Sequence, residues 1–139
     1  MITRFKIFEN LELDERLIDT VEFDDRIDKI DKLIKKGANV NCKSTDGYTP
    51  LIYSIFQNRI RIADYLLKNG ADINLKDNDG LTPLMWAAEC NSFSFIQLLI
   101  DAGADWNLKD NDDKDFIDYL TEEIEEMINT ELTANKYNL

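Results

Sequence analysis

Two short motifs recur at a fixed offset of 33 residues, and this repetition constrains the fold more than any other feature of the chain. The pentapeptide GANVN at residues 37–41 returns as GADIN at 70–74 and as GADWN at 103–107. In phase with it, the hexapeptide DGYTPL at 46–51 returns as DGLTPL at 79–84. Two motifs in step at one period indicate a chain of similar units, each of which buries its apolar face against its neighbours.

The length of the period and the Thr-Pro-Leu at 49–51 and 82–84 resemble the ankyrin repeat, which carries this tripeptide at the start of its first helix. The resemblance implies an all-α fold, an ankyrin-repeat solenoid of stacked helix-turn-helix units with hairpin-like loops. It predicts about two full repeats between degenerate N- and C-terminal capping repeats. Function is therefore expected from a binding surface rather than from a catalytic pocket.

The whole chain is predicted to be one domain that divides into successive units. The units are an N-terminal extension (1–13), a degenerate first repeat (14–45), two full repeats (46–78 and 79–111), a C-terminal capping repeat (112–133) and a tail (134–139) expected to be frayed. The predicted helices are about 14–22 in the first repeat, 50–57, 60–68, 83–90 and 93–101 in the two full repeats, and one long or two short helices over about 114–133. A second helix of the first repeat is predicted from the spacing of Val21, Ile27, Ile30, Leu33 and Ile34, and Gly37-Ala38 closes it.

Local signals support the helices of the two full repeats. Thr49 and Thr82 are suited to cap a helix N-terminus, because a threonine hydroxyl accepts a hydrogen bond from a free backbone N–H. Pro50 and Pro83 follow at the first helical position, where a missing N–H is tolerated. The apolar residues expected to face neighbouring units are Leu51, Ile55, Ile60, Ala63, Leu66, Leu67, Leu84, Ala88, Phe93, Ile96, Leu98 and Leu99.

The last unit departs from the pattern, because Asp115-Phe116-Ile117 stands where Thr-Pro-Leu would fall. Asp115 can still cap a helix. Spacing along an α-helix predicts a buried apolar face and an acidic, solvated face. The expected buried residues are Ile117, Leu120, Ile124 and Met127.

The balance of acidic and basic residues limits the kinds of partner that the chain is expected to bind. The chain has 28 acidic and 16 basic residues and a formal net charge of −12. Nucleic acid and anionic membrane surfaces are not expected as partners, because both are bound through clustered lysine and arginine. An acidic surface favours a partner protein with a basic surface. The alternative is that the charge only maintains solubility.

The cysteines and the hydropathy pattern bear on location. No apolar run approaches the length of a membrane span, and the N-terminus lacks the continuous apolar core of a signal peptide. Cys42 and Cys90 have no metal-binding or redox spacing. Two free thiols in a reducing cytoplasm are expected.

Nothing in the sequence predicts an enzyme, a cofactor or a metal site. The chain has no histidine, which excludes histidine-based catalytic triads and histidine metal ligands. It contains no nucleophile elbow and no phosphate-binding glycine loop. The segment 77–80 (DNDG) resembles part of a calcium loop, but alignment of its glycine places Leu75 and Trp86 where acidic ligands are required. A repeat turn accounts for these residues.

The resemblance places partner contacts in the concave groove, on the loop tips and on the exposed side of the first helices. The corresponding loop positions are Thr45, Asp46, Tyr48, Asn78, Asp79, Leu81, Asn111, Asp112 and Lys114. The corresponding first-helix positions are Phe56, Gln57, Glu89, Cys90, Glu122 and Glu123.

Two aromatic features accompany these positions. Tyr48 and Phe56 flanked by acids are typical of an interface with an apolar anchor and a charged rim. The alternative is that these two rings pack against each other or against the N-terminal segment. Tyr53, Trp86 and Tyr119 form an aromatic column expected to be buried or half-buried between repeats.

The sequence thus favours a non-enzymatic protein-binding module that is a monomer when free. Its sharper form is an acidic inhibitor or immunity-type antagonist that neutralises a basic protein. The alternative is an adaptor or scaffold subunit of a larger assembly, which needs a second surface on the convex side. There, Arg59, Arg61, Asp64 and Lys68 are expected to be ordinary solvated residues, which weakens the adaptor interpretation.

Overall fold

The computed structural model describes the backbone of residues 3–137 and the side chains of residues 3–130. Within this range the fold is all-α, as predicted, with no strand. The elements are α1 (Arg4–Phe23), α2 (Ile27–Lys36), α3 (Pro50–Phe56), α4 (Ile60–Lys68), α5 (Pro83–Glu89), α6 (Phe93–Asp101), a 3-10 helix (Phe116–Tyr119) and α7 (Glu122–Tyr137).

The helices form a stack of antiparallel pairs. Within units, α1 packs on α2, α3 on α4 and α5 on α6. Between units, the first helices make a continuous row in which α1 contacts α3, α3 contacts α5, and α5 contacts the 3-10 helix. The second helices form the other row, through the contact of α4 with α6. Each unit therefore buries its apolar face against its neighbours, which is the architecture of a solenoid.

The two full repeats begin and end almost as the sequence predicts. The hydroxyl oxygen of Thr49 accepts a hydrogen bond from the N–H of Ile52, and that of Thr82 accepts one from the N–H of Met85, each at 3.3 Å. α4 and α6 have the predicted bounds, whereas α3 and α5 each end one residue earlier than predicted. Local capping chemistry thus sets where these helices start.

Most of the predicted core residues are buried, but Ile60 is not. Leu51, Ala63, Leu84 and Leu99 are among the fully buried side chains. Ile60 is the first residue of α4 and remains exposed. Phe95 and Ile62 are fully buried although the sequence analysis did not select them. The second helices pack on their own first helix and on neighbouring units, so their apolar face is wider than one stripe.

A hydrogen-bond ladder joins successive loops. The side-chain amide of Asn78 donates to the carbonyl of Thr45 at 2.8 Å, and one repeat later the amide of Asn111 donates to the carbonyl of Asn78 at 3.0 Å. The backbone N–H of Asn111 also donates to the carbonyl of Asp79 at 3.0 Å. The loops are therefore held in a regular row by bonds that repeat every 33 residues.

The first helix is longer than predicted. It was expected over about 14–22, but α1 runs from Arg4 to Phe23 and includes most of the proposed N-terminal extension. Residues 1 and 2 of that extension lie outside the described residues. Only Leu13, Leu17 and Val21 of α1 are buried. The half of α1 that contains these buried residues provides the helical nucleus. Residues 4–12 extend the helix, because they include no proline or glycine to end it.

Arg59 is not the ordinary solvated residue that was expected. One guanidinium nitrogen donates to the carbonyl oxygens of Val21 and Asp24, at 2.7 and 2.6 Å. These carbonyls lie at the C-terminal end of α1, where backbone oxygens have no partner within the helix. Arg59 therefore ties the second repeat to the end of the first helix.

The last unit differs from the predicted helical face. Its first helix is reduced to the 3-10 helix, in which Phe116 is fully buried and Ile117 is 52% exposed. Ile124 is buried as predicted, but Met127 is exposed. With three residues per turn, the 3-10 helix turns a different side chain inward than an α-helix would. α7 continues to Tyr137, so the predicted tail is largely helical, while residues 138 and 139 lie outside the described residues.

Candidate functional site

The structure leaves most of the fifteen predicted partner-contact positions at the surface. Tyr48, Phe56 and Leu81 are half-buried. The exposed ones are Thr45, Asp46, Gln57, Asn78, Asp79, Glu89, Cys90, Asn111, Asp112, Lys114, Glu122 and Glu123. The loop tips and the ends of the first helices thus provide a polar, mainly acidic surface with a few partly exposed apolar residues.

Four half-buried rings, which we call the aromatic cluster, lie at the centre of this surface: Tyr48, Tyr53, Phe56 and Trp86. The ring centroids of Phe56 and Trp86 are 4.8 Å apart, and those of Tyr48 and Phe56 are 5.1 Å apart, each pair nearly perpendicular. Tyr48 also meets Trp86 edge-on at 5.8 Å. Edge-to-face pairs contribute about 0.5–1.5 kcal/mol beyond their buried area. The cluster is therefore an ordered apolar patch that bridges the second and third units.

This packing agrees in part with the alternative interpretation of Tyr48 and Phe56, in which their rings pack against other residues of the chain. Tyr48 and Phe56 do pack against each other, and they pack against Trp86 of the next unit as well. All three rings nonetheless remain half-exposed. Tyr53, Trp86 and Tyr119 are half-buried, as predicted for the aromatic column. Mutual packing fixes the rings in place, and their remaining exposed surface is available to a partner.

Asp77 fixes the orientation of Trp86 and the shape of the loop before it. One carboxylate oxygen of Asp77 accepts a hydrogen bond from the indole N–H of Trp86 at 2.7 Å. The other accepts the backbone N–H groups of Asp79 and Leu81, each at 2.9 Å. Sequence reasoning treated Asp77 only as a turn residue. The sequence does carry one sign of this structural role, because an aspartate recurs one repeat later, at position 110.

Asp110 repeats this arrangement in the next loop, with a tyrosine as partner. Its carboxylate accepts the hydroxyl of Tyr119 and the backbone N–H groups of Asp112 and Lys114, the latter two at 2.8 and 3.0 Å. The Tyr119 hydroxyl contributes most to holding the pKa of Asp110 below its usual value, and the two backbone donors add to this effect. The Lys114 ammonium lies 5.8 Å from the centre of the Tyr119 ring.

We expect the lowered pKa of Asp110 to make this loop acid-sensitive. A carboxyl whose pKa is lower in the folded chain stabilises the fold above its unfolded pKa and loses that contribution as the pH falls. Asp110→Asn should therefore lower the free energy of unfolding at pH 7, and its difference from wild type should shrink below about pH 4. Urea titrations across pH measure this. Asp112→Asn, with the same charge change, is the control, and a pH-independent difference would contradict the assignment.

Four predicted contact residues have other roles or places than expected. The amides of Asn78 and Asn111 are engaged in the loop ladder. Glu122 and Glu123 were predicted on an exposed first helix, but they lie in the first turn of α7. Acidic residues there are favoured by the positive end of the helix dipole. This placement follows from the shortening of the preceding element to a 3-10 helix.

The acidic surface extends further toward the N-terminus than the sequence analysis placed it. A cavity of about 680 Å³ lies between α1 and the first loop, and Tyr53 of the aromatic cluster forms part of its wall. Glu15, Asp19 and Glu22 line it on the side of α1. No signal in the sequence marked these residues, because the helix that carries them has no counterpart of Thr-Pro-Leu. Acidic side chains therefore lie on both sides of the aromatic cluster.

The two cysteine thiols differ in their surroundings. Both cysteines are free: Cys42 is buried and Cys90 is exposed. Burial, and to a lesser degree the charge of Asp14, raises the pKa of the Cys42 thiol to about 12. Partial shielding of its thiol from solvent, and then the charge of Glu89, raise the pKa of Cys90, although the residue as a whole is exposed. Over the described residues, the structure contains no acid or cysteine group suited to a metal ion and no helix able to cross a membrane.

Comparison with known proteins adds one finding. A family model described as ankyrin repeats, in three copies, matches residues 17–110 of the chain, which is more than half of its length. The matched region contains the whole aromatic cluster and the acidic side chains of both full repeats. No curated protein shows significant sequence similarity to the chain.

Proposed function

The chain belongs to the ankyrin-repeat family, whose members are protein-interaction modules, and we propose that it binds a basic partner protein through its concave groove. The binding surface consists of the aromatic cluster and the acidic loop tips around it. The proposal is for a non-enzymatic protein, since binding to a surface accounts for the groove without any reacting group. Two free cysteines favour a reducing compartment such as the cytoplasm.

The aromatic cluster is the observation that carries this proposal. Its rings cross the boundary between two units, and each is locked by its neighbours while part of its surface stays exposed. A partner side chain placed there would be buried against surfaces that lose little conformational freedom on binding. Such rigid aromatic anchors at the centre of a contact surface supply much of the binding energy of protein interfaces.

The charges around the cluster specify the partner's chemistry. Asp46, Asp79, Asp112 and Glu89 are exposed on the loop tips and the end of α5. The ion pairs formed among the described residues involve none of these four carboxylates. They are therefore available to lysine or arginine side chains of a partner, whose approach the net charge of −12 accelerates.

The mode of action that fits best is inhibition, in which the chain covers a basic surface of its partner. A module that covers a basic surface prevents that surface from meeting its own acidic ligand or substrate. The binding residues all lie on one side of the stack, along the row of first helices and loops. An adaptor would need a second binding surface, whereas an inhibitor needs only this one.

Affinity capture from the native source tests the proposal. The bait proteins are wild type, the double variant Tyr48→Ala/Phe56→Ala, and Phe23→Ala as a control with an exposed ring on α1, outside the cluster (76% exposed). We expect wild type and the control to retain a basic protein that the double variant loses, and we expect salt to weaken the retention. Thermal melting checks that the double variant is folded. Equal capture by all three would remove the cluster from the interface and favour the adaptor.

A further inference from the structure

The N-terminal half of α1 exposes more apolar surface than any other helix segment described. Phe5, Ile7, Phe8 and Leu11 are 79%, 50%, 63% and 54% exposed. They precede Leu13, the first residue of α1 that is buried. A helix segment that leaves four large apolar residues mostly exposed indicates an interaction surface.

Four residues of α1, two of them from this apolar set, form a seam. Arg4, Phe8, Leu11 and Glu15 follow one another at spacings of four, three and four residues, which is the spacing of a coiled-coil contact stripe. At about 100° per residue they lie within a narrow arc of the helix. The buried residues Leu13 and Leu17 lie nearly opposite the seam, so the seam does not face the core that they enter. Its end at Leu11 and Glu15 borders the cavity between α1 and the first loop.

We propose that this seam pairs with the same seam of a second copy of the chain, with the two α1 helices antiparallel. In the register that satisfies all four residues, Phe8 of each copy packs on Leu11 of the other. The same register places Arg4 of each copy against Glu15 of the other. Each contact occurs twice, as a two-fold symmetric interface requires. The sequence pattern is thus self-complementary in shape and in charge.

The alternatives to this pairing are less favourable on charge. A parallel pair would place Arg4 against Arg4 and Glu15 against Glu15, which repel. An anionic membrane surface is disfavoured because Glu9, Glu12 and Glu15 lie beside the apolar residues on a chain of net charge −12. Arg4 and Glu15 are in none of the ion pairs formed among the described residues, so both are available to a second copy.

The geometry of the pairing sets where the two folded bodies lie. From Arg4 to Glu15 the helix rises about 17 Å. In an antiparallel pair, the bodies attached beyond Glu15 lie at opposite ends of the shared helical segment. The contact is small, at the low end of specific interfaces, so the dimer is weak and depends on concentration. Leu11 and Glu15 of the seam also line the cavity beside Tyr53, so the pairing borders the aromatic cluster. Under this proposal the free chain is in a monomer–dimer equilibrium.

Sedimentation equilibrium over a series of concentrations tests the pairing. We expect the wild-type mass to rise from the monomer value of 16.2 kDa toward twice that value as concentration increases. Phe8→Ala should weaken association at least about tenfold, which corresponds to about 1.4 kcal/mol. Phe23→Ala, a change at another highly exposed ring of α1 outside the seam, should leave association unchanged. A wild-type mass of 16.2 kDa at every concentration would overturn the proposal.

Charge reversal tests the register. Arg4→Glu and Glu15→Arg should each weaken the dimer, because each places like charges together. The double variant Arg4→Glu/Glu15→Arg should restore association, because it exchanges the partners of the same two pairs. These side chains are exposed, so circular dichroism should show unchanged folding. If the double variant associates no more strongly than the single variants, the antiparallel register is contradicted. This result does not depend on the outcome of partner capture.

Discussion

Gly80→Ala is expected to destabilise the fold by about 3 kcal/mol, through backbone strain of about 1–2 kcal/mol and the disruption of neighbouring hydrogen bonds. Gly80 has a φ of +85°, which disfavours any side chain. An added Cβ would lie 2.6 Å from the side-chain oxygen of Asn111 and 2.8 Å from its backbone nitrogen. These atoms cannot withdraw freely, because the same backbone N–H donates to Asp79 and the side-chain amide donates to Asn78.

Gly103→Ala separates the two contributions. Gly103 has a similar φ of +91°, but an added Cβ there would meet no atom within 4 Å. Only the backbone strain applies, so we expect a loss of about 1–2 kcal/mol. Urea denaturation of wild type and both variants measures the difference. Equal losses would show that the close approach between successive loops does not contribute to stability.

Phe116→Ala is expected to cost about 3–5 kcal/mol, as for other large aromatic residues removed from a core. The Phe116 ring is 1% exposed and belongs to the core cluster that includes Leu84, Phe95 and Ile124. Removing it would leave a cavity between the third unit and the cap. Because the units are stable only when stacked, the loss should reduce the stability of the third repeat as well.

Ile117→Ala is the matched control for Phe116. Ile117 is the next residue in the same 3-10 helix and is 52% exposed, so we expect a change of at most about 0.5 kcal/mol. Denaturant titrations of the two variants compare them directly. A larger loss for Ile117→Ala than for Phe116→Ala would mean that the cap packs as the α-helical pattern first suggested.

The two central repeats were predictable because several local signals coincide there. Thr82, Pro83 and the following apolar residues all indicate the same helix start, and the glycine motif at 103–107 indicates where the unit closes. The ends of the chain lack this agreement. No capping side chain marks the start of α1, since Thr3 makes no side-chain hydrogen bond to it. The 3-10 geometry around Phe116 depends on packing against α5, which sequence periodicity does not express.

The surface exposure of most candidate positions was predictable, but the packing of their side chains was not. Correspondence with the repeat identified Tyr48 and Phe56, since exposure at a loop tip or a helix end follows from the fold. It did not identify Trp86 as part of the same surface, because its position depends on the hydrogen bond from its indole to Asp77. Nor did it include Glu15 and Glu22, because their place beside the first loop depends on how α1 packs, which no repeat motif in that helix marks.

Hydrogen exchange on the chain, alone and bound to the captured partner, tests the central claim most directly. The proposed function predicts slower exchange on binding in the loops 44–48, 77–81 and 110–114 and at the C-terminal ends of α3 and α5. The exposed sides of α4 and α6 should be unchanged. Protection confined to α4 and α6, with the three loops unaffected, would contradict binding through the concave groove.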